Sequence, residues 1–75
     1  MSKERREKCS KMLIAHGCQH DNARIALAKR IGMDDTYLWY AMKGTKRAGA
    51  TTEPFYMAND TTINEIIVRI ETLPT

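Results

Sequence analysis

One stretch, Arg24 to Gly44, constrains this chain more than any other. It reads RIALAKRIGMDDTYLWYAMKG. Leu27, Ala28 and Ile31 fall at i, i+1 and i+4, the inward face of one helix. Gly32 follows where the chain must leave that helix, and glycine accepts the left-handed conformation without a Cβ penalty. Asp34 is placed to cap a second helix by accepting from a free backbone N–H. Leu38, Ala41 and Met42 then point back at i, i+3 and i+4, and Gly44 stops the second helix. Ala28 is small where the two helices would cross. The stretch therefore predicts two short helices, Asn22 or Ala23 to Ile31 and Asp35 to Lys43, joined by a tight turn.

The flanking sequence extends this to an all-α domain of four to five short helices. Ser2 to His16 predicts a first helix, with Ser2 as its cap and an apolar stripe of Cys9, Met12, Leu13 and His16. Gly17 ends it, and Asp21 or Asn22 is the expected cap of the next helix. TKRAGATTEP is a loop with two breakers, Gly49 and Pro54, and Phe55 after it is expected in the core. Asn59 or Asp60 then caps a last segment, Thr61 to Thr72, in which Ile63, Ile66, Ile67, Ile70 and Leu73 keep a helical period. Glu65 and Arg69 make a favourable i, i+4 pair. The run TTINEIIVRI is β-branched enough to suit a strand as well.

Charge separates the two parts of the chain. Residues 1–50 hold eleven Lys/Arg and five Asp/Glu, a net of +6. Residues 51–75 hold one Arg and four acids, a net of −3, which restores the overall +3. A basic front points to a polyanion as partner, and the acidic tail to another task. No apolar run approaches the roughly 18 residues of a membrane span. The charged MSKERREKCSKM is followed by no apolar signal segment, so a cytoplasmic setting with reduced cysteines is expected. Cys9, His16, Cys18 and His20 could each ligate zinc, but their spacing fits no familiar finger, and no metal or other cofactor is expected. The adjacent carboxylates Asp34 and Asp35 suit a helix start better than acid–base work, and there is no glycine-rich phosphate loop. No enzyme is expected.

The Ala28, Gly32, Leu38 and Gly44 spacing resembles the helix-turn-helix of phage Cro and repressor proteins, and the lead-in HGCQHDNARIALAKRIG is similar to that of short Cro-type repressors. The resemblance covers about a third of the chain. It implies a compact helix-turn-helix domain over residues 1–75, with a C-terminal dimerisation segment from about residue 55. It implies double-stranded DNA as partner, with the second helix of the pair in the major groove. Asp35, Thr36, Tyr37, Trp39 and Tyr40 then face the bases, and Arg24, Lys43, Lys46 and Arg47 the phosphates. Arg24 stands where the family commonly has a glutamine. A homodimer is expected, with Ile67, Val68, Ile70 and Leu73 meeting a second copy. The function implied is that of a small phage or prophage repressor acting on an operator. Two features depart from the pattern: acidic residues at the helix tip, and aromatics in place of Arg, Asn and Gln. They support an alternative, an antirepressor or inhibitor that docks on another regulatory protein.

Overall fold

Each stretch with a helical apolar period is a helix in the computed structural model, which describes residues 3–42 and 58–74. The order is α1 (Lys3–Ala15), α2 (Asp21–Ile31), α3 (Asp35–Ala41) and α4 (Asp60–Glu71), with no strand among the described residues. The expected Ser2 cap, the Phe55 core position and everything from Lys43 to Met57 lie outside them.

Two helices end in the same way. Gly17 and Gly32 take φ of 79° and 72°. In each case the following amide reaches back across the last turn, Cys18 to the Leu13 carbonyl and Met33 to the Ala28 carbonyl, both at 3.0 Å. This closes carbonyls that a helix end would otherwise leave open. The starts differ more. Asn59 accepts from the Thr62 amide at 2.8 Å and Asp34 from the Thr36 amide at 2.9 Å, as the capping preference of these residues predicts. At α2 the cap is His20, whose side chain makes no capping bond, and not Asp21 or Asn22.

The core lies where α4 crosses behind the other three helices. Leu13, Leu38, Met42, Ile63, Ile66 and Ile67 are fully buried, with Cys9 and Cys18 beside them. Each such aliphatic side chain contributes about 1.5–3 kcal/mol relative to exposure. Burial decides between helix and strand for the β-branched tail: as a helix, Ile63, Ile66, Ile67 and Ile70 all reach the core from one face. On α1 the buried face is Cys9, Ser10 and Leu13. His16 is exposed, so the true stripe is rotated from the expected one toward Ser10.

Polar contacts tie α1 to α4. Arg6 donates to the Ala58 carbonyl at 2.9 Å and to Asp60 at 2.8 Å. Lys8 pairs with Glu71 at 3.0 Å, and Arg5 donates to the Asn64 side-chain oxygen. Exposed pairs of this kind add little stability individually, so they fix register more than they hold the helices together.

Ser10 is 4% exposed, and its hydroxyl has no hydrogen-bond partner among the described residues. An unsatisfied buried hydroxyl costs free energy, and alanine is the better helix former. Ser10→Ala should therefore raise stability by about 1 kcal/mol. Urea unfolding followed by circular dichroism checks this; a loss of stability would mean that the hydroxyl has a partner in solution.

Candidate functional site

The α2–α3 unit presents one outer face, and its construction follows from what each side chain must bury. Leu27, Ala28 and Ile31 of α2 and Leu38 and Ala41 of α3 are buried against each other and α4. Ala28, only 2% exposed, lets α3 approach. With Leu38 and Ala41 turned inward, Thr36 and Tyr37 are left exposed, Tyr37 by half. Asp35, Trp39 and Tyr40 are half-buried at the edges of that face. Trp39 and Tyr40 meet edge to face, with ring centroids 5.5 Å apart and planes at 87°. That arrangement suits the quadrupoles of both rings.

The two adjacent aspartates have separate structural tasks. Asp34 is the α3 cap, and the Thr36 amide that donates to it holds its carboxyl below the usual carboxylate range. Asp35 lies 3.4 Å from both Nε and Nη2 of Arg24. Arg24 also pairs with Asp21 at 3.0 Å. The guanidinium thus bridges the starts of α2 and α3.

Its burial corrects an expectation. Arg24, expected on the phosphate side, is 7% exposed and turned onto carboxylates of its own chain. Its Nη1 has no partner among the described residues. Asp35, expected at a base edge, is engaged from behind by Arg24. Sequence spacing showed that Arg24 and Asp35 sit at two helix starts, but not that the turn folds one start onto the other. Lys43, Lys46 and Arg47 lie outside the described residues. Lys29 and Arg30, not singled out by the sequence, are exposed at the end of α2, where they complement its dipole.

The four C-terminal positions expected at a dimer interface, three on α4 and Leu73 just beyond it, divide. Ile67 is fully buried and Ile70 is 8% exposed, so both belong to the core and are corrected from that role. The isoleucine stripe of α4 faces α1, α2 and α3 of its own chain. Val68, half exposed, and Leu73, partly exposed, keep surface for a partner.

The four thinkable zinc ligands point to different places. Cys9 and Cys18 are in the core as free thiols, whereas His16 and His20 are exposed. Burial pushes the Cys9 thiol up to about 11, against the pull of Arg5 and Arg6. Burial also raises Cys18, against Arg24. Thiols so disposed are poor ligands and poor nucleophiles. Among the described residues, no three His, Cys, Asp or Glu side chains gather as a metal site would require.

Compared with protein-family models, curated proteins and solved structures, the chain finds no match. The class that fold and site define is therefore a small domain of four described helices, displaying a short aromatic helix that is packed from behind.

The Arg24–Asp35 bridge is open to measurement. Its bonds are long, and the Asp35 side chain is 35% exposed, so solvent screens the pair. A double-mutant cycle with Arg24→Met and Asp35→Asn should give a coupling of about 0.5–1 kcal/mol. A coupling indistinguishable from zero in urea titrations would mean that the two helix starts are not joined by this bond.

Proposed function

We propose that this chain binds double-stranded DNA through α3, as a Cro-like helix-turn-helix regulator, and that two copies occupy an operator as a repressor. One observation carries the reading. The α2–α3 pair turns at Gly32, and α3 is held by Leu38 and Ala41 while Thr36, Tyr37 and the edge of Tyr40 face outward. A helix packed in this way can enter a major groove without exposing core.

The local electrostatics bear on the same reading. The acidic tip, the main objection from sequence, is partly neutralised by use: Asp34 caps α3 and Asp35 pairs with Arg24. Thr36 suits a base edge or a thymine methyl, and Tyr40 lies one turn further along the same face. Lys43, Lys46 and Arg47 supply the cations that phosphate contact needs immediately after α3.

A second reading rests on the composition of α3. Asp35–Ala41 carries three aromatics and no cation. Tyr and Trp are enriched at protein interfaces and their hot spots, whereas phosphate contact needs cations, and an antirepressor or inhibitor would use the same face for another regulator.

Selection of duplexes from a random library by the wild-type protein separates the two. If DNA is the partner, Thr36→Ala and Tyr40→Ala should each cost about 1–3 kcal/mol on the selected duplex and much less on random DNA. Equal losses on both would remove these residues from base reading. Failure of the wild type to enrich any duplex would favour the protein partner.

The homodimer is proposed on α4 and the residues that follow it, centred on Val68 and Leu73. Two-fold dimers place their reading helices about 34 Å apart, one DNA turn. Val68→Asp should leave a folded 8.6 kDa chain that scatters light as a monomer and binds the duplex weakly. A wild type that is itself monomeric, and unaffected by this change, would remove α4 as the seam.

A further inference from the structure

We propose that Arg69 is a positioning residue: from α4 it fixes the turn between α2 and α3, and with it the direction in which α3 is presented. The Gly32 and Met33 amides already close the Lys29 and Ala28 carbonyls at the end of α2. Two carbonyls further along that turn, those of Ile31 and Gly32, accept from Nη1 of Arg69 at 2.9 and 3.2 Å. A cation there also stands at the negative end of the α2 dipole.

Arg69 is itself aimed. Its Nε donates to Glu65 at 2.9 Å, one turn earlier on α4. With a side chain 41% exposed, this i, i+4 pair adds little stability, but it restricts the guanidinium to the orientation that reaches the turn. Three links thus run in series: Glu65 orients Arg69, Arg69 holds two carbonyls, and those carbonyls flank the residue where the chain changes direction.

The place matters because Gly32 is the most permissive residue in the α2–α3 unit. Small changes in its dihedrals would swing α3 as a body. A clamp from a helix 37 residues away in sequence removes that freedom. Coupling of this kind is reciprocal, so whatever stiffens α4 also stiffens the turn. Val68, next to Arg69 and half exposed, is the point at which a partner would act on it.

Amide hydrogen exchange by NMR on the full chain tests this. Arg69→Met keeps the apolar stem and removes the donors. It should speed exchange at Gly32 and Met33 about five- to tenfold. Gly17 and Cys18, which have the same capping geometry at the end of α1, should stay within about twofold of wild type. Arg69→Lys should fall between, and Glu65→Gln should give a smaller rise confined to the same two amides. Equal acceleration at both caps would make Arg69 a contributor to global stability alone, and no acceleration would show that the clamp is not formed in solution; either overturns the proposal. If Arg69→Met does not fold, Glu65→Gln decides alone, by whether its rise is local.

A second arm rests on the DNA-binding reading. Arg69→Met should lose more affinity for the duplex selected by the wild type than for random DNA, though Arg69 is on α4 and outside the α2–α3 pair. A wild type that selects no duplex defeats that reading, and the exchange result then stands by itself. Equal losses on selected and random DNA, with local acceleration absent, would overturn the role of Arg69 and leave the DNA-binding reading standing.

Discussion

Everything in the α2–α3 unit depends on a single residue standing at positive φ. At 72°, Gly32 ends α2 and turns the chain into α3, which packs against α2. Among the described residues a Cβ there would meet only Arg69 Nη1, at 3.6 Å, so the demand for glycine comes from the backbone conformation. Three devices then converge on the same few atoms. The Met33 amide closes the end of α2, the Asp34 carboxylate opens α3, and the Arg69 guanidinium holds the carbonyls between them. Leu38, buried behind the turn, is the apolar counterpart of all three.

The charge asymmetry of the chain takes on a different meaning once the helices are placed. A basic front half and an acidic tail suggest, in sequence, one half for a polyanion and another for something else. In the fold, Arg6 and Lys8 of α1 are joined to Asp60 and Glu71 of α4. Much of the separation is thus spent within the chain. The corner where α2 and α3 begin holds three carboxylates, Asp21, Asp34 and Asp35, against one guanidinium, Arg24. Its residual charge is negative. Any polyanion on this face must be drawn by cations elsewhere, and among the described residues Lys29 and Arg30 are exposed at the far end of α2.

The features legible in the sequence are those set by neighbours along the chain. The Gly32 turn, the Asp34 and Asn59 caps and the buried period of α4 follow from local spacing and side-chain chemistry, and they appear where that spacing puts them. The features that escaped depend on which surface meets which. Ser10 is as polar as its exposed neighbours, and only the approach of other elements decides that it is covered. Ile67 and Ile70 belong to a stripe that the sequence displays clearly, but the sequence does not say whether this chain or a second copy covers it. His20 caps α2 without a capping bond, so no side-chain preference could have marked it. The burial of Arg24 and the reach of Arg69 to Gly32 leave no trace in local pattern, because each joins residues separated by a turn or by a whole helix.

The ties between α1 and α4 also set an order of events during synthesis. Arg6 waits for Asp60, 54 residues later, before its side chain can close. At cellular elongation rates that interval is about 3–10 seconds. Through it, Cys9 and Leu13 of α1 have no isoleucine face to pack on, and the α2–α3 pair lacks the clamp from Arg69. The emerging chain is an incompletely covered set of three helices until α4 arrives. The last described helix thus closes the core, and a ribosome that stalls before Asp60 leaves a product whose first helix lacks the face it packs on in α4.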